Sequence, residues 1–166
     1  MFKRNLLVTQ IQKSNINTQF KIFKKERKQK TMAKTFTSTH ELTAVEKIKL
    51  KNIDAFSIAE LTKNSENGFC IGNVKSITII TDTEKAEKIK NAGSDSKEVA
   101  EIAIFETENA DGETEYYLAS SGVVIDTISD IIADVADDES ILQEFVFCFS
   151  YGVSKNGNSY LAVKVK

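Results

Sequence analysis

The residues whose types and spacing best suit chemistry lie in the last stretch of the chain, "FVFCFSYGVSKNGNSYLAVKVK". Lys155, Tyr160, Lys164 and Lys166 set one aromatic ring among three ammonium groups. Rings stack on flat π-faces and lysines neutralise phosphates, the two contacts that a single-stranded nucleic acid offers. Whether they share a surface depends on how the chain turns at "KNGN". Phe145, Phe147, Phe149 and Tyr151 stand at alternate positions before that turn, so the same turn decides whether they are core or stacking surface.

A two-residue type I′ turn at Asn156-Gly157 would pair Tyr151 with Ala162, Phe149 with Lys164 and Phe147 with Lys166. The phenylalanines would then lie among lysines. A three-residue loop, Lys155-Asn156-Gly157 with Gly157 left-handed, slips the register by one. Phe147 then pairs with Val165, Phe149 with Val163 and Tyr151 with Leu161. Burial favours the slipped register, because fully burying one large apolar side chain stabilises by about 1.5–3 kcal/mol. Exposing three phenylalanines would forgo much of a small domain's total of roughly 5–15 kcal/mol. In either register Tyr160, Lys164 and Lys166 share the face away from Leu161, Val163 and Val165, with Lys155 at the tip. Tyr116 and Tyr117 in "TEYYLASS" are two further candidates for stacking bases.

The hairpin "YGVSKNGNSYLAVKV" resembles those of the small, strand-built single-stranded-DNA-binding proteins of phages and mobile elements. In that family a Lys/Arg-x-Gly-x-x-Tyr hairpin, in or beside an OB-type barrel, contacts the strand. The matching residues here are Lys155, Gly157 and Tyr160. The resemblance rests on this hairpin alone. It implies an OB-like barrel, sequence-tolerant binding of single strands during phage or plasmid replication, and no catalysis.

The elements that would carry these residues read as mostly β within an α+β class. "TAVEKIKLKNIDAFSIAEL" holds a possible capping box at Thr43–Glu46. Ile48 and Leu50 alternate with lysines, which predicts a strand near 46–51, followed by a second strand or a short helix at 55–62. "FCIGNVKSITIIT" predicts one strand bent at Gly72. "DTEKAEKIKNAGSDSKE" reads as an exposed connection with about one helical turn, and Asp-Gly in "ENADGE" predicts a hairpin. Ile125, Ile128, Ile132 and Val135 recur at helical spacing, giving one main amphipathic helix over about 125–142, ahead of the C-terminal hairpin.

Composition bounds the rest. The 166 residues are 41% hydrophobic and 28% charged, which fits one globular domain. No apolar run approaches the roughly 18 residues of a membrane helix, so a soluble protein without membrane partners is expected. The abundance of Lys over Arg and the lack of proline fit an A/T-rich coding sequence, as in low-GC bacteria and their phages and plasmids, and the expected location is the cytoplasm of a bacterial or phage-infected cell. Cys70 and Cys148 sit in apolar stretches and read as two buried thiols, not a disulfide framework. His40 is the one histidine, and there is no Cys-x-x-Cys, so no metal and no cofactor is expected.

Charge is unevenly spread. Residues 1–31 hold nine of the 22 Lys and Arg and one of the 24 acids. Three readings of that segment stay open: a phosphate-gripping arm, a targeting peptide, or an upstream extension with translation starting at Met32. The domain is expected to span 32–166. It is acidic, and Asp126, Asp130, Asp134, Asp137 and Asp138 fall largely outside the apolar face of the long helix. They define the alternative function, an inhibitor or adaptor that mimics DNA phosphates or docks on a replication or host protein. An enzyme is not expected, for no nucleophile–histidine pair or phosphate loop is present and "GSDS" lacks the strand–elbow–helix context of a hydrolase.

Overall fold

Eight strands spread along the described chain build two sheets. A computed structural model describes residues 34–92, 99–136 and 138–166. The basic segment 1–31 and Asp137 lie outside the described residues. The larger sheet has the order β1 (Lys34–Ser38), β4 (Val74–Asp82), β5 (Glu101–Glu108), β6 (Thr114–Ala119) and β2 (Phe56–Ser57). It is antiparallel except where β2 runs parallel to β6. The smaller sheet is antiparallel, in the order β3 (Phe69–Ile71), β7 (Phe147–Val153), β8 (Ser159–Val165). Lys34–Lys166 form one compact unit.

Four α-helices occur among the described residues: α1 (Ala44–Lys51), α2 (Ile58–Lys63), α3 (Thr83–Ala92) and α4 (Gly122–Asp134), with a 3-10 helix at Glu139–Glu144. The class is therefore α+β, with more helix than one main segment, and the two sheets do not close into a barrel among the described residues.

Three local expectations are corrected. Residues 46–51 are helix, not strand. The Thr43 hydroxyl accepts from the Glu46 amide at 3.3 Å, while the Thr43 amide donates to the Glu46 carboxylate at 2.7 Å. This reciprocal cap satisfies two end amides at once, and Lys49 and Lys51 complement the dipole in the last turn. The alternation of Ile48 with Leu50 thus reports two sides of a helix: Ile48 is exposed and Leu50 is half-buried. The run from Phe69 to Thr81 is two strands in different sheets. The chain changes sheet at Gly72–Asn73, where Asn73 takes φ 51°, and a register shift follows between Val74 and Ser76. The charged segment after β4 is a ten-residue helix, α3.

The core lies between the sheets and α4. Ile77, Ile79, Ala103 and Phe105 face Phe147, Phe149, Leu161 and Val163, while Val124, Ile125, Ile128 and Ile132 pack from the helix. Phe105 meets Phe147 and Phe149 edge-on, with centroids 5.5 and 5.6 Å apart, and so joins one sheet to the other. The C-terminal hairpin adopts the slipped register: Phe147 opposes Val165, Phe149 opposes Val163 and Tyr151 opposes Leu161. Gly157 supplies the left-handed residue, φ 79°, that the three-residue loop needs. No helix among the described residues is long and apolar enough to cross a membrane.

Candidate nucleic-acid interface

Side chains alternate across a strand, so the register that buries Phe147 and Phe149 turns the other set outward. On the outer face of the small sheet, Cys70, Cys148 and Lys164 form a row across β3, β7 and β8, because Cys70 opposes Cys148 and Cys148 opposes Lys164. Ser150 opposes Ala162, and Gly152 opposes Tyr160. Lys166 continues the line beyond β8, its backbone exchanging hydrogen bonds with Val146 at 3.1 and 3.0 Å. Alternate residues on a strand are about 7 Å apart, which sets the spacing of Lys164 and Lys166.

Tyr160 lies down across β7. A Cβ placed on Gly152 would stand 2.9 Å from its Cζ and 3.0 Å from its hydroxyl, so only glycine leaves room for the ring there. Tyr160 still keeps 37% of its surface exposed. Lys155, Lys164 and Lys166 are exposed and form no ion pair among the described residues, whose ion pairs are His40 with Glu46 and Glu139, and Lys75 with Glu108. Beside β8, the Ser121 hydroxyl donates to the Leu161 carbonyl at 2.8 Å and ties the start of α4 to this strand.

The two other candidate tyrosines, Tyr116 and Tyr117, are not on this face. Neighbours on β6, they point to opposite sides of the large sheet. Tyr117 turns toward the core, 5.7 Å from Phe56 and 5.5 Å from Phe69 between centroids, and donates to the Glu115 carboxylate at 2.7 Å. Burial, then the bond to Glu115, pushes its phenol up to about 12. The bonds from Tyr117 and Asn109 hold Glu115 below the usual carboxylate range. Tyr116 opposes Glu106 on the far side, and its phenol is raised by burial and by that carboxylate.

Of the acidic residues, Asp126, Asp130 and Asp134 form an exposed stripe along α4. Asp138 is separate. It caps the 3-10 helix, accepting from the Ser140 amide at 3.1 Å and from the Ser140 hydroxyl. Asp137 falls outside the described residues.

Sequence reasoning missed the cysteine pair and Gly152. Cys70 and Cys148 are disulfide-bonded across 78 residues, on the outer face, with Cys70 exposed. The expectation of two buried thiols is therefore corrected: opposed positions on neighbouring strands bring the sulfurs together. Among the described residues no group of three or more His, Cys, Asp or Glu could hold a metal.

No protein-family model, curated protein or solved structure matches the chain.

Proposed function

We propose that the chain binds single-stranded DNA, without catalysis and with little sequence preference, on the outer face of the β3–β7–β8 sheet. The observation that carries this reading is the exposed Tyr160 ring, laid across Gly152 on the same side as Lys164, with Lys155, Lys164 and Lys166 free of ion pairs among the described residues. A base would stack on Tyr160, and phosphates would meet the lysines along β8. The binding mode proposed is that of an OB-type domain, a strand lying over an exposed sheet beside a hairpin, although these sheets pack without closing. A role in phage or plasmid replication, in a bacterial cytoplasm, belongs to the same proposal. In such reducing surroundings Cys70 and Cys148 would stand as thiols.

Tyr160→Ala tests it. Stacking on an aromatic side chain contributes about 1–3 kcal/mol per base, so affinity for an oligo-dT strand should fall roughly 5- to 150-fold by mobility shift while the melting temperature holds. Unchanged affinity would remove Tyr160 from the site.

A second reading keeps α4 as a docking face for a basic protein. What favours it is that Asp126, Asp130 and Asp134 repel one another at i,i+4 spacing, and that Asp134 opposes the dipole in a last turn with no basic residue. Capture of a basic partner without any nucleic-acid binding would select this second reading.

A further inference from the structure

Helix α1 has no buried residue. Glu46 and Leu50 face inward and are half-buried, whereas Val45 and Ile48 on the outer side are 61% and 62% exposed. Lys49 flanks this apolar ridge on one side, Lys47 and Lys51 on the other. Eight residues are too few for a helix to persist in water on propensity alone, and helices of this length draw their stability from packing. Two β-branched residues flanked by lysines on the open side would suit a cover that is acidic and partly apolar.

A complementary surface is on the same molecule. The outward side of α4 shows Val123, 44% exposed, with Asp126, Asp130 and Asp134 one turn apart, and its first and last turns hold no basic residue. Its acids recur at i,i+4, the spacing of Lys47 and Lys51. Val123 offers the apolar contact that Val45 and Ile48 lack. We infer that α1 of one copy docks on α4 of a second copy of this chain, lysines against aspartates. The inference does not rest on nucleic-acid binding.

The contact involves one face of a helix about 12 Å long, so it lies below the area of a standard stable interface and is weak and salt-sensitive. The two surfaces differ, so each copy keeps one of each to offer. Two copies can satisfy both contacts at once, or successive copies can continue in a row.

Sedimentation equilibrium of the whole 166-residue chain tests this, over concentrations reaching about 1 mM, a range suited to an interface below standard size. The average mass should rise with concentration and fall back toward the monomer at high salt. Lys47→Glu/Lys49→Glu and Asp126→Lys/Asp130→Lys should each stay monomeric, and a 1:1 mixture of the two should associate again, since each then offers what the other needs. Circular dichroism verifies that both variants fold. Lys49→Gln and Asp130→Asn are milder alternatives that should weaken the mass increase without reversing charge. A wild-type mass that stays monomeric at every concentration overturns the inference. So does a lysine variant that associates like wild type, which would give the acidic face to another basic segment. Failure of the mixture to associate also overturns it.

Discussion

Gly152 is the residue on which the proposed site turns. Its missing side chain lets Tyr160 lie flat instead of projecting from the sheet. In Gly152→Ala the new methyl would meet only the outer end of a flexible side chain, so the ring would swing away at small cost to the fold. The expected result is a melting temperature within a few degrees of wild type, for a change of about 1 kcal/mol, together with weakened binding of single-stranded DNA in a mobility shift. Tyr117 gives a second prediction. Its phenol is held up to about 12, above about 10 for a free tyrosine, so the folded state favours the neutral form. That contribution is complete below pH 10 and is lost as pH rises through about 12. Ultraviolet titration of the phenolates should show a late step, absent in Tyr117→Phe. At this scale the sequence showed Tyr160, Lys164 and Lys166 on one face, because strand alternation holds in any register. It could not separate Tyr116 from Tyr117, since which of two neighbours faces a core depends on the sheet packed against them.

Among the elements, the C-terminal hairpin was the most legible. Three phenylalanines at alternate positions can be buried only in the slipped register, and β7 and β8 adopt it. That same register already put Cys148 on the outer face with Lys164, at odds with a buried thiol. What was missing was the partner: nothing local reveals that β3 pairs with β7, because the two are far apart in sequence. Helix α1 was misread for a related reason, its alternation of apolar residues being too short to outweigh the cap at Thr43–Glu46. The disulfide closes a long loop, and such bonds contribute typically about 2–4 kcal/mol. In the oxidised protein, Cys70→Ser/Cys148→Ser should therefore lower the urea midpoint, with a loss in that range. An unchanged midpoint would mean that the two sulfurs are not bonded in solution.

For the whole molecule the decisive feature is segregation of charge. The domain is acidic in sum, yet Lys155, Lys164 and Lys166 are exposed on the C-terminal hairpin while Asp126, Asp130 and Asp134 form a separate stripe on α4. Net charge opposes approach to DNA at long range, so the proposed binding would draw on the local arrangement. The α+β class was readable from composition and periodicity. The packing of five strands on three was not, because the pairs β1–β4, β2–β6 and β3–β7 bring together segments far apart in sequence. The proposed function stands on one face of one sheet, and its most direct test is fluorescence polarisation of a labelled oligo-dT strand. The chain beginning at Met32 would be titrated at several salt concentrations, with duplex as the control. Three lysines meeting phosphates imply a slope of log K against log salt of about −2 for a single strand, with duplex bound more weakly. No binding, or binding indifferent to salt, would contradict the account.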